Sequence, residues 1–309
     1  MKSKIFFIVG LIIFISISLL TLTPHNFNKA NNFISYKIDS YLAKKQNEKN
    51  FKNLKNCFIN KKFDYSKNIL VIGHAYGVSD ENNRGIYPKL KVFLQKNNVL
   101  YDLIVLTGDV ARNPSIENYN IILEELSSYG KQILISPGNH DVGNNKVNYR
   151  RKIFKEYFKR FYDHKVIDNN LFIALDNTIN YTVDKGQFDW MKLVIRKNIN
   201  VENIFIFTHH VPWKNKVENQ LLLNDQPQSE IVQDYSNYLI DFDEAMIFLD
   251  ELDKGIFYVA GSVNNYNYLF CEKNKKITYL NSGVGINKVS SLIEIKIKNK
   301  QIKLSYKLF

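Results

Sequence analysis

The sequence predicts an α/β domain carried behind a membrane anchor, and three observations support that prediction. After residue 66, short apolar runs alternate with amphipathic segments of helical period, the pattern of strands and helices in turn. The loops that follow those runs are polar and hold four of the six histidines. Before residue 66, an uncharged stretch long enough to cross a bilayer leads into a linker rich in Lys and Asn.

The N-terminal element comes first. Ile5 to Leu22 is an 18-residue uncharged run behind Lys2 and Lys4, and a helix rising ~1.5 Å per residue carries such a run across most of ~30 Å of hydrocarbon. Thr21-Leu22-Thr23 makes a poor cleavage site, so residues 1–23 are expected to be an uncleaved single-pass transmembrane anchor held by membrane lipid. The two lysines place the short tail in the cytoplasm and the C-terminal domain outside it. Residues 24–66 read as a basic stalk, with Ile34, Ile38, Tyr41 and Leu42 forming a helical stripe. Its lysines either lie against anionic head groups or simply keep a linker soluble.

Charge and cysteines exclude several functions. Residues 1–66 hold eleven Lys, no Arg and three acidic residues, so +8 of the formal +12 belongs to the stalk and anchor. Residues 67–309 are therefore only weakly basic, which argues against nucleic acid as a partner. Cys57 and Cys271 have no close Cys neighbour, which excludes a disulfide framework and a Cys-based metal site. They read as unrelated thiols, with one long-range bridge as the alternative.

Within the domain, apolar runs at 69–73, 103–106, 133–136, 171–175, 204–208 and 256–260 are too short for buried helices and predict central strands. Helices are expected at 87–97, 115–128, 148–161, 185–197 and 239–252, the fourth with Phe188, Met191, Leu193, Val194 and Ile195 towards one side. Strands at 266–271, 276–281, 290–297 and 301–308 are expected to form an antiparallel C-terminal portion, turning at Glu272-Lys273-Asn274 and Lys298-Asn299-Lys300. The polar segment 213–236 is either a lid or an insertion.

In such folds ligands gather beyond the C-terminal strand ends, where loops present polar groups over a rigid base. Those ends read His74-Ala75-Tyr76-Gly77, Gly108-Asp109-Val110-Ala111-Arg112, Pro137-Gly138-Asn139-His140-Asp141, His209-His210-Val211-Pro212-Trp213 and Gly261-Ser262-Val263-Asn264. Taken in order, GD at 108–109, GNHD at 138–141 and THH at 208–210 resemble the calcineurin-like metallophosphoesterases over roughly residues 67–309. The resemblance implies a four-layer sandwich, two mixed sheets flanked by helices, and a two-metal centre for phosphoester hydrolysis. It implies Asp109 as the bridging carboxylate, Asn139 and His209 as ligands of the second metal, and His140 as the acid at the leaving oxygen. Asp141 would orient His140, and Arg112 would hold a phosphate oxygen. His210 is the alternative to His209, because His210-Val211-Pro212 also fits the family's pattern.

Two motifs depart from that pattern. Where the family has GD-x-HG, this chain has Gly73-His74-Ala75-Tyr76-Gly77, and where it has GH-x-H, this chain has Gly261-Ser262-Val263-Asn264. Two-metal hydrolysis holds both ions about 3.5–4 Å apart to activate water and clamp both moving oxygens. With Tyr76 a poor ligand while its phenol is protonated, and Ser262 and Asn264 in place of histidines, the donors present suit one divalent transition ion (Mn, Fe or Zn) and argue against a second. The expected ligands are Asp109, Asn139, His209 and His74.

Plainer readings stand beside these. Asp109 could cap a helix, Asn139-His140-Asp141 could be a tight turn, and His74 with Tyr76 could be an ordinary hydrogen-bonded pair. Ser262 and Asn264 read as loss of ligands, and His25 and His164 as solvated or packed. The expected function is a membrane-anchored phosphoester hydrolase with an incomplete, attenuated one-metal site. The alternative is a catalytically silent relative whose cleft binds a phosphorylated ligand or a protein partner.

Overall fold

The structure, a computed structural model, describes residues 65–76, 84–145, 148–179, 182–211, 242–262, 270–274, 277–281, 283–284, 290–298 and 301–308. Strand β1 (Lys67–Ile72) opens the domain, followed by α1 (Pro88–Asn97), β2 (Leu103–Thr107), α2 (Ile116–Ser127) and β3 (Ile133–Ser136). Then come α3 (Asn139–Val142), α4 (Tyr149–Phe158), β4 (Asp163–Ile167), β5 (Asn170–Ala174), α5 (Lys185–Lys197) and β6 (Asn203–Thr208). The chain continues through α6 (Phe242–Asp250), β7 (Gly255–Ala260), β8 (Phe270–Asn274), β9 (Ile277–Asn281), β10 (Ser291–Lys298) and β11 (Gln301–Leu308).

These strands form two mixed sheets, ordered β11-β10-β1-β2-β3 and β4-β5-β6-β7-β9-β8. In the first, β1, β2 and β3 run parallel while β10 and β11 pair antiparallel. In the second, β5, β6, β7 and β9 run parallel between the antiparallel edges β4 and β8. Alternation along buried strands separates three apolar layers. Ile69, Val71, Leu103 and Val105 meet Phe172, Phe205 and Phe207 between the sheets, with Phe172 stacked on Phe205. Leu70, Ile72, Ile104 and Leu106 pack outward against residues of α1, α2 and α4. Ile173, Ile204, Ile206 and Tyr258 pack against Phe188, Met191, Val194 and Ile195 of α5 and Leu249 of α6. Helices therefore cover both sheets, which makes the four layers.

Local chemistry fixes the helix starts. Ser115, Asn148 and Asp184 each accept a backbone N–H from the first turn of α2, α4 and α5. Pro88 opens α1, and Asn98 ends it in the left-handed region.

Three expectations about secondary structure need correction. The residues Glu272-Lys273-Asn274 lie inside β8 and form no turn, because they pair with Tyr279, Thr278 and Ile277 of β9. The C-terminal strands do not form a portion of their own, since β9 lies parallel to β7 in the second sheet and β10 returns beside β1 in the first. Strand β4 was not expected, because Asp163, His164 and Lys165 give a half-exposed edge no apolar run to betray it. His164 packs its ring 5.8 Å from Trp190. The anchor, the stalk up to residue 64, the segment 213–236 and Cys57 lie outside the described residues. Among the described residues no helix is long and apolar enough to cross a membrane.

Candidate metal centre

Strands β1, β2 and β3 of one sheet and β6 of the other end at a common place, and their loops bring the predicted residues together. Gly108 and Asp109 leave β2 with φ of 80° and 53°, and His74 leaves β1 with φ of 53°. Glycine is required at 108 and 138 for a further reason. A Cβ at Gly108 would lie 2.3 Å from His209 Nδ1, and one at Gly138 would lie 2.0 Å from the Asp109 amide nitrogen.

Asp109 is the centre, with no exposed surface. Its Oδ1 accepts the His140 amide at 3.0 Å and lies 3.4 Å from His209 Nε2. Its Oδ2 accepts the Tyr76 hydroxyl at 3.3 Å and lies 3.4 Å from His74 Nε2. Burial opposes its ionisation, but His209, His74 and His140 around it hold the carboxyl below the usual carboxylate range. Burial drives His74 the other way, down to about 4 despite the neighbouring Asp109, so its ring is neutral at pH 7.

Hydrogen bonding shows how the donor set suits a metal ion. His209 Nδ1 lies 3.1 Å from the Thr107 carbonyl, which can only accept, so a neutral ring there carries its proton on Nδ1. Its Nε2 is then a lone pair, and it faces Asn139 Oδ1 at 3.1 Å and Asp109 Oδ1 at 3.4 Å. His74 Nε2 is buried and makes no hydrogen bond. One ligand atom from each of His74, Asp109 and His209 lies within 4.8 Å of the others. An imidazole lone pair facing two oxygens, beside a second imidazole nitrogen without a hydrogen bond, fits a cation, and the buried cluster could hold one ion. The orientation of His209 by a backbone carbonyl is the usual arrangement for a ligating imidazole.

The other predicted residues divide. His210 engages Asn177 through both its backbone N–H and its C=O, whereas the His209 ring meets Asn139 and Asp109, so His209 is the histidine at the centre. His140 Nδ1 meets Arg112 Nη1 at 3.3 Å; because guanidinium only donates, the His140 proton sits on Nε2. Burial lowers the His140 pKa, and the Arg112 and Arg150 charges add to that, against the pull of Asp109. Asp141 does not take the expected place beside the His140 ring. Its carboxylate accepts the amides of Val110, Ala111 and Gly138 at 2.9 to 3.1 Å, tying the loop after β2 to the turn after β3. The segment Asn139-His140-Asp141 is thus both the expected tight turn and a contributor to the centre. Ser262 donates its amide to the His209 carbonyl at 2.7 Å, and Asn264 lies outside the described residues.

Sequence reasoning missed Asn177 and Arg150. Asn177 follows β5, a strand end that could have been read by the same rule as the other five. Arg150 sits on α4 and donates to the His140 carbonyl at 3.3 Å; nothing in the run Tyr149-Arg150-Arg151-Lys152 singles it out.

A sandwich of two mixed sheets with a buried Asp and His cluster, and an Asn beside it, at the strand ends is the design of a metallophosphoesterase. A sequence profile described as calcineurin-like phosphoesterase matches residues 68–261, and the chain belongs to that family. Among curated relatives, the chain is 28% identical over 141 residues to a probable glycerophosphodiester phosphodiesterase of Arcobacter nitrofigilis, covering 43% of this chain and 50% of that one. It is 30% identical over 115 residues to a probable cyclic nucleotide phosphodiesterase of Fibrobacter succinogenes, covering 36% and 42%. It is 22% identical over 163 residues to the 3',5'-cyclic adenosine monophosphate phosphodiesterase of Haemophilus influenzae, covering 50% and 58%. The chain thus spans about half the length of the curated relatives it matches. Among solved structures, vacuolar protein sorting 29 of Cryptosporidium parvum superposes with a TM-score of 0.34 at 13% identity, over 80% of this chain and 99% of that one.

Proposed function

We propose that the protein is a phosphodiester hydrolase working with one divalent transition ion, with an attenuated rate, tethered to a membrane by its N-terminal segment. The observation that carries this reading is the convergence of His74 Nε2, His209 Nε2 and Asp109 on one buried point. The acceptor oxygen of Asn139 completes the donor set. Two imidazoles, a carboxylate and an amide oxygen suit Mn, Fe or Zn. A bound ion of this kind supplies a Lewis acid and a more acidic water.

The chain's own residues supply the rest. Arg112 and Arg150 flank His140, and among the described residues neither is paired with a carboxylate, whereas Arg84, Arg151 and Arg160 each are. Two guanidiniums without counterions suit an anionic substrate, and Arg112 keeps the His140 proton on Nε2, where it can pass to a leaving oxygen. Tyr76 donates its proton to Asp109 Oδ2, at the position where the family pattern has a histidine. That contact and the substitution at Ser262 support one ion and a slow reaction. The names of the curated relatives support a phosphodiester as the substrate class. The uncharged run 5–22 supports the tether, with the domain outside the cytoplasm.

The test is metal content by plasma mass spectrometry on the full chain after loading with Mn, Fe or Zn, paired with hydrolysis of bis(p-nitrophenyl) phosphate. About one ion per chain and ion-dependent release of nitrophenol are expected. If no stoichiometric ion is retained under any loading, and a cellular phenotype survives Asp109→Ala, the silent ligand-binding relative is the better reading.

A further inference from the structure

We infer that Asn177 is a positioning residue for His209, held in turn by the Arg151–Asp176 ion pair, so that ion binding depends on a loop that supplies no ligand. This rests on the one-ion reading above.

Asn177 is fully buried, and its side chain is spent on one turn. Its Oδ1 accepts the amides of His209 at 3.2 Å and His210 at 3.0 Å, and its Nδ2 donates to the His210 carbonyl at 2.8 Å. The amide thus grips the backbone on both sides of His210 and fixes the direction in which the chain leaves β6. A carbonyl at Thr107 orients the His209 ring, while the backbone hold sets where that ring begins, and Asn177 shares that hold with Thr208 Oγ1 on the His210 carbonyl at 3.1 Å and the Ser262 amide on the His209 carbonyl at 2.7 Å. An imidazole must reach its ion to within a few tenths of an ångström, so a loosened turn costs affinity before it costs fold.

The loop carrying Asn177 is itself braced from several directions. Asp176 Oδ2 is paired with Arg151 of α4, and Asp176 Oδ1 accepts the Thr178 amide and hydroxyl. Arg151 also donates to Thr178 Oγ1 at 3.1 Å. From α5, Gln187 accepts the Asp176 amide and donates to its carbonyl. Ser136, at the end of β3, donates to the Leu175 carbonyl at 2.6 Å. Helix α4 and the end of β3 flank the segment that presents Asn139, while Asn177 presents His209. One strut therefore sets two ligands that come from different sheets.

The experiment loads the full chain with Co(II) and reads its visible absorption bands and its affinity by chelator competition, with thermal unfolding alongside. For Asn177→Ala, the expected result is shifted bands and affinity at least tenfold weaker, with unfolding still cooperative. Asp176→Asn, which leaves every ligand and Asn177 in place, is expected to weaken Co(II) at least threefold, and it decides the matter if Asn177→Ala does not fold. Bands and affinity within twofold of the parent in the folded variants would overturn this inference while leaving the one-ion reading intact. Failure of the parent chain itself to take up Co(II) would overturn that reading and the inference with it.

Discussion

Asp109 and Asp176 are both buried carboxylates beside cationic or imidazole groups, yet they are completed in opposite ways. Asp176 meets a guanidinium, an amide and a hydroxyl, so each of its oxygens faces a donor. Asp109 also has one donor on each oxygen, but the next nearest groups are the Nε2 atoms of His74 and His209, one a lone pair and the other without a hydrogen bond. A closed network is a brace; an open one costs stability until a cation arrives. The contrast separates structural from functional acid residues by counting protons, without reference to motif.

The largest effect expected from this contrast is all-or-none. Asp109→Ala should take retained metal from about one ion per chain to none, read by plasma mass spectrometry after desalting, while circular dichroism stays native. Retention of a full ion by that variant would place the ion elsewhere. Next, Asp176→Ala leaves the largely covered Arg151 guanidinium without a counterion and should cost about 3–5 kcal/mol in urea unfolding; a loss under 1 kcal/mol would mean the brace is dispensable. Tyr76→Phe removes the donor on Asp109 Oδ2 and should cost about 1–3 kcal/mol in the metal-free chain, yet keep ion uptake, since the phenol is not among the proposed ligands. Loss of the ion in that variant would make Tyr76 a ligand.

The smallest effect belongs to a third, shallower carboxylate. Asp102 accepts the Asn68 amide at 3.0 Å and Lys131 at 2.9 Å. Burial resists its ionisation, but those donors, with Lys67, lower its pKa overall. A carboxyl with a depressed folded pKa stabilises above its unfolded value, near 3.8, and loses that contribution as the pH falls through the folded value. Asp102→Asn should therefore cost about 0.5–1 kcal/mol at pH 7, and the difference from the parent should vanish near pH 2 in urea titrations. A difference that persists in acid would assign the loss to shape and not to charge.

The central strands were legible because burial on both faces writes uninterrupted apolar runs, as in Leu103–Thr107 and Asn203–Thr208. Strand β4 and the partner of β9 were not, because an edge strand is only half buried and pairing order depends on contacts far along the chain. At the site, Asp109 and Asn139, each behind a glycine, and His209 in the run Thr208-His209-His210 were readable from spacing and resemblance. The job of Asp141 was not, because three backbone amides are invisible in a side-chain pattern. Asn177 went unread for the same reason, since its partners are the peptide groups of the histidine turn.

The left-handed backbone at His74 and Asp109 has a consequence for variation at these positions. Few side chains tolerate that conformation; Asn, Asp and His are the enriched ones apart from glycine, and β-branched residues are penalised. An exchange of Asp for His at position 74 stays within this small alphabet. A library randomised at His74 and selected only for soluble expression should already shrink to these few letters before any chemistry is screened. The repertoire of ions open to this scaffold is thus bounded by a torsion angle as well as by ligand chemistry.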